Sequence, residues 1–234
     1  MDSTKLLEIL YNQESIFVEE IYRLEKHPEQ ANFILVDDNS GLLCLDAEED
    51  TSDWNIVRVI GDSKKCKSVI PAIPYDDYAL IGAETEPNKP EEKSLIFFEG
   101  SEAYGDDENE DFELNKYANI EFGLPVNSIK TKVSHVDSRL DDIYLYMSNS
   151  VQGFVKVTRN SWHYAEVAIE IKAELRNQGY GTALLALMLE QARRKKVRLS
   201  YVAESDNFPS IAIAEHCGLS RIAAISFSQK HMGN

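Results

Sequence analysis

The stretch that most restricts this chain is residues 163–196, HYAEVAIEIKAELRNQGYGTALLALMLEQARRKK. Val167, Ile169 and Ile171 alternate with Glu166, Ala168 and Glu170, the two-residue period of a strand with one apolar face. Leu184, Leu185, Met188, Leu189 and Ala192 then recur at helical spacing, so 182–196 reads as an amphipathic helix with Leu185 and Met188 in the core. Between the two, Arg176-Asn177-Gln178-Gly179-Tyr180-Gly181 sets a pair of glycines at the mouth of the helix. Backbone there bends tightly and leaves consecutive N–H groups unscreened by side chains. At the positive end of a helix dipole such groups form a cradle for phosphate. The dinucleotide fingerprint Gly-x-Gly-x-x-Gly and the nucleotide fingerprint ending in Gly-Lys-Ser/Thr are both absent, so the loop is neither of those.

The surrounding segments give the loop a context. DIYLYMSN (142–149) and VQGFVKVT (151–158) are strands around an Asn-Ser turn, and VRLSYVAE (197–204) is a buried strand. NFPSIAIAEHCG (207–218) is a short helix ending at Gly218, and RIAAISFS (221–228) is a last strand. The second half therefore runs strand, strand, strand, helix, strand, helix, strand.

In that setting Arg176, Gly179 and Gly181 resemble the Arg/Gln-x-x-Gly-x-Gly/Ala signature of the Gcn5-related N-acetyltransferase (GNAT) superfamily, which follows a β strand. Asn207-Phe-Pro-Ser210, running on to Gly218-Leu219, is similar to the superfamily's second mark, Asn-x-x-Ser with a closing Gly-Phe. The resemblance covers about residues 120–230 and is silent on 1–110. It implies an α/β (α+β) fold with a mixed, splayed central sheet, and acetyl-CoA as the donor of an acetyl group to a primary amine. By the same resemblance the pantetheine arm lies along Ile169, Glu170 and Ile171. The pyrophosphate rests on Asn177, Gln178, Gly179, Tyr180, Gly181 and Thr182, with Asn207 and Ser210 bonding the cofactor from the other side. Arg176 either adds a cation beside the phosphates or simply caps the loop.

Acetyl transfer to an amine needs a proton removed from the amine and one returned to the departing thiolate. Glu166 stands ten residues before Arg176, the place of the general base in histone-modifying members, with Glu170 on the same face and water as the other routes. Many members carry their acid, a Tyr, seven residues after the Asn, and here that position is Ala214. Tyr201, Tyr180 or a water are left as sources of the proton. The missing acid keeps a second function open, an acyl-CoA-binding regulatory module with little or no turnover.

Composition narrows the rest. The three cysteines and five histidines show neither paired nor zinc-ligand spacing, so neither disulfide framework nor metal is expected. No apolar run nears the ~20 residues of a membrane span, and the acidic N-terminus lacks an export signal, so a cytoplasmic protein without a membrane partner is expected. Residues 1–114 hold 9 Lys+Arg against 29 Asp+Glu, or −20, whereas 115–234 hold 15 against 11, or +4. A field of that sign disfavours nucleic acid. If the acidic half borders the cleft it would favour cationic acceptors, such as polyamines, aminoglycosides or Lys-rich peptides. The other reading is that the acidity serves solubility alone.

The carboxylate-rich segment 101–113 is expected to be a linker, dividing a lobe at 1–112 from a domain at 113–234. The first lobe reads as helices within 5–27, a hairpin at 32–47, and strands at 55–61, 78–84 and 94–100. It is a smaller α/β unit. Its hairpin shares the rhythm of 142–157, so it is either a degenerate copy of the acetyltransferase sheet, without a cradle of its own, or an unrelated substrate lobe.

Overall fold

The computed structural model describes residues 3–14, 16–37, 40–46, 55–75, 78–82, 93–100, 113–125, 127–134 and 138–230. The centre of the expected hairpin turn, Asp38-Asn39, and nearly all of the acidic linker with its boundary lie outside those residues.

Helices α1 (Ser3–Tyr11) and α2 (Val18–Lys26) precede strands β1 (Ala31–Asp37), β2 (Ser40–Leu45) and β3 (Asn55–Ile60). A short helix α3 (Ser63–Cys66) and a 3-10 turn lead to β4 (Tyr78–Ile81) and then β5 (Lys93–Glu99). The second half contains α4 (Leu114–Phe122), β6 (Ile129–Val133), β7 (Asp141–Met147), β8 (Ser150–Asn160) and β9 (Tyr164–Ile171). It closes with α5 (Tyr180–Arg194), β10 (Arg198–Glu204), α6 (Phe208–His216) and β11 (Ser220–Lys230). The pattern reading of 142–228 is met element by element, while α4 and β6 are additions that it missed. In β6 Ile129 alone is buried and Val133 is exposed, so the short Ile-Lys-Thr-Lys-Val alternation there marks no buried face.

The strands form one sheet in the order β1-β2-β3-β4-β11-β5-β10-β9-β8-β7-β6. β1, β2 and β3 are antiparallel neighbours and β3 pairs β4 in parallel. β7, β8 and β9 repeat this, and β9 pairs β10 in parallel. The strand directions of the second half thus recur in the first, which is the degenerate-copy reading. The final strands are exchanged: β5 lies between β10 and β11, and β11 lies between β4 and β5.

Burial follows from which faces are covered. Leu6, Leu10, Phe17 and Ile21 of the first helical segment pack on Leu43, Leu45 and Ile60. Cys66 packs with Leu42, Cys44, Val57 and Leu80 on the opposite face, so all six residues of β2 are buried. In the second half Leu184, Leu185, Leu187 and Met188 of α5 are sealed against Ile143, Leu145, Val155 and Val167. Each such side chain contributes about 1.5–3 kcal/mol by leaving water. The other face of this part carries a row in register across four strands, Lys130, Tyr144, Phe154 and Glu170.

The two halves are also joined through side chains. Buried Glu14 accepts from Ser161 Oγ (2.6 Å) and the His163 N–H (2.7 Å), and its other oxygen lies 2.7 Å from His163 Nδ1. Within the first half, Glu20 pairs with Arg58 at 3.3 Å, with the guanidinium over the rings of Phe17 and Phe97. Among the described residues no helix is long and apolar enough to cross a membrane.

Candidate active site

β9 and β10 run in register from Tyr164/Arg198 to Val167/Tyr201 and then separate. Beyond that point β9 stays with β8, up to Ile171 opposite Gly153, while Val202, Ala203 and Glu204 of β10 stay with β5. A wedge-shaped gap opens between them. The Lys172 N–H donates to Gln152 O (2.9 Å) on the β8 side, so the two-residue period turns the N–H and C=O of Ile169 and Ile171 toward the gap. Ile171 O is taken by Arg176 Nε at 3.0 Å, which folds the loop back onto the strand.

The two glycines of the loop meet different demands. Gly179 has φ +84° and caps α5, with nothing within 4 Å of where a Cβ would stand. Gly181 is a matter of space, because a Cβ there would lie 2.8 Å from Ile213 Cδ1 of α6. Asn177 also has a positive φ, 61°. The first turn of α5 carries neither an acidic residue nor a side-chain cap, so its leading N–H groups face outward as donors.

These donors line a cavity of about 550 Å³ with Ile169, Glu170, Ile171, Arg176 and Asn177 on one side and Asn207 and Ser210 on the other. Gly179, Tyr180, Gly181 and Thr182 lie on the same wall. Gln178 is the exception among the expected residues: it is exposed, and its amide donates to Glu174 O at 2.9 Å. Asn207 has a structural task as well, since its side chain caps α6 by accepting from the Ser210 N–H at 3.3 Å. His216 reaches the rim from the end of α6. Nothing in its sequence spacing points His216 to the gap.

A second cavity of about 600 Å³ adjoins the first, the two sharing Ile169, Tyr201, Asn207 and Ser210. Glu166 lines it, with Thr158 Oγ1 3.2 Å from its Oε1. Lys156 and Arg159 of β8 line it too, neither of them visible as site residues before the β8–β9 register was known. Among the described residues the first half contributes Ile56 to this wall, not a carboxylate. Tyr201 stands between the cavities, buried, and burial pushes its phenol above the usual range while a hydrogen bond with Ser210 pulls partly back. Ala214 is wholly buried in the core. Cys217, three residues further on, is pushed by burial to about 11 and donates to Thr182 O, which fits packing rather than nucleophilic chemistry.

A family model described as the acetyltransferase (GNAT) family matches residues 108–219. No curated protein matches the chain. Among solved structures, a GCN5-related N-acetyltransferase-like protein from Streptococcus suis is 13% identical over 95% of this chain and 99% of its own, with a TM-score of 0.52. A GCN5-related N-acetyltransferase from Kribbella flavida is 13% identical over 94% and 96%, at 0.51. A tandem GNAT protein from the clavulanic acid biosynthesis pathway is 11% identical over 99% and 95%, at 0.51. Identities this low carry the fold alone, and the fold extends over both halves. The C-terminal half of the chain belongs to the acetyltransferase (GNAT) family, and the whole chain has a fold that such proteins share.

Proposed function

We propose that the protein is an acetyl-CoA-dependent N-acetyltransferase acting on a primary amine. The observation that carries this reading is the meeting of the two cavities at Ile169 and Tyr201, one edged by the N–H groups of α5 and the other by Glu166. The first cavity fits the donor: its volume falls within the ~300–1,000 Å³ usual for ligand sites, and its wall combines unspent N–H donors, an apolar strand and the Arg176 cation. When bound there, acetyl-CoA supplies an activated acyl carbon. The N–H of Ile169, turned to the gap, is the donor for the carbonyl oxygen as negative charge builds on it.

Glu166 takes the proton of the acceptor ammonium from the second cavity. The freed nitrogen then bonds to the acyl carbon as the carbon–sulfur bond breaks, and it sheds its second proton to water, from which Tyr201 is later reprotonated. Tyr201, whose raised phenol keeps its proton at neutral pH, offers that proton to the departing sulfur. It takes the role that Ala214, buried and without a hydroxyl, does not perform.

Thiol release from acetyl-CoA with a panel of amines tests the reading, beside calorimetry of acetyl-CoA binding. Glu166→Gln is expected to lower the rate at pH 7 on the order of 10²-fold while acetyl-CoA affinity changes little. Tight binding with no turnover on any amine would instead support the regulatory acyl-CoA-binding module. An unchanged pH–rate profile in Glu166→Gln would move the base to water or to Glu170.

A further inference from the structure

We propose that the second cavity selects acceptors bearing an anionic group a few bonds from the reacting amine, with Lys156 as the residue that holds the anion. The inference rests on the acetyl-transfer reading and names its substrate class. The charged side chains on the cavity wall are Lys156, Arg159 and Glu166. Lys156 stands opposite Ala168 in the β8–β9 register, and Glu166 lies two residues back along β9 on the same face. That step is about 7 Å along a strand. Ala168, exposed and small, leaves the space between the two charges open.

The partners of the cations differ. Arg159 Nη1 donates to Thr158 O at 2.7 Å, and its guanidinium lies 5.6 Å over the Tyr22 ring. Lys156 Nζ sits 4.2 Å over the Phe154 ring and 5.6 Å over that of Tyr144, and among the described residues it has no carboxylate partner. Aromatic faces steady a cation but take up its N–H donors poorly, so the ammonium keeps donors for an incoming anion. The −16 of the whole chain does not reverse this preference. At physiological salt the Debye length is ~8 Å, so distant carboxylates are screened while the wall charges are not. An amine directed to Glu166 therefore places an anion about four bonds away against Lys156. A carboxylate and a phosphate share that chemistry.

The test uses the full chain with acetyl-CoA and acceptors of matched length: 4-aminobutyrate, 3-aminopropylphosphonate, butylamine and 1,4-diaminobutane. Expected is a kcat/KM for at least one anionic acceptor on the order of tenfold above butylamine, with diaminobutane lowest. Whichever of the two anions leads identifies carboxylate or phosphate as the natural group. Lys156→Gln should raise KM for the anions about tenfold more than for butylamine, Lys156→Arg should recover most of it, and Lys156→Glu should turn the preference to diaminobutane. Butylamine or diaminobutane surpassing both anions, or an equal loss on all acceptors in Lys156→Gln, would overturn the inference while leaving acetyl transfer standing. If no amine is acetylated, calorimetry of both anions on the CoA-loaded protein decides. Binding that Lys156→Gln weakens about tenfold supports the anion site without the transferase, and binding indifferent to Lys156 overturns it.

Discussion

At Gly179 an L side chain meets no neighbour but must accept φ +84°, a cost of about 1–2 kcal/mol. Gly179→Glu is therefore expected to fold, with that loss seen in a urea melt, and to lose CoA binding because its carboxylate enters the anion's place at the head of α5. Undiminished affinity in the folded variant would remove the cradle. The thiols give a second check at this scale. Burial raises Cys44 and Cys217 from the usual 9.0 to about 11, which at pH 8 lowers their thiolate fraction about a hundredfold. Iodoacetamide should label them in the folded protein slower than in urea by at least that factor, followed by mass spectrometry. The sign for stability follows: the unfolded chain ionises these thiols first, so stability is complete below pH 9 and declines as pH rises from about 9 toward 11.

At the scale of elements, the turn from β8 to β9 is held by a single carboxylate from the segment between α1 and α2. Glu14, 7% exposed, satisfies two backbone or hydroxyl donors and the His163 ring at once. Glu14→Ala leaves those donors without their acceptor in a closed site, and we expect a loss of about 2–4 kcal/mol in chemical denaturation, against about 1 kcal/mol for Ser161→Ala. A loss below 1 kcal/mol in Glu14→Ala would mean that water replaces the carboxylate. This contact also shows what a linear reading misses. The loop 176–181 and the alternation of β9 were legible because strand period, glycines and helix stripe all lie within some thirty residues. Glu14 and Ser161 are 147 residues apart, and no local pattern pairs them. Lys156 was hidden for a related reason, since its place on the cavity wall follows from a cross-strand register. Gln178 looked like part of the cradle, yet the carbonyl of Glu174 was near enough to turn it away.

For the molecule as a whole, the charge asymmetry, conspicuous in the sequence, leaves little trace on the described cavity walls, whereas the exchange of final strands left no trace in the sequence at all. Both neighbours of β5 belong to the second half, and both neighbours of β11 belong to the first. Residues 113–234 expressed alone are expected to aggregate or bind acetyl-CoA at least tenfold more weakly, and co-expression with 1–112 should restore a soluble 1:1 complex and its affinity. Full affinity of the isolated second half would show that β5 is dispensable. The reason lies where β10 leaves β9, since from Val202 onward β5 is the strand that β10 follows. Without that guide, β10 would be free to zip onto the exposed edge of β9 and shut the gap. The front half, with no second cradle among its described residues, is thus the doorstop of the back half's cleft, so a change at Phe97 or Phe98 of β5, the partners of Val202 and Tyr201, should be felt in the width of the gap.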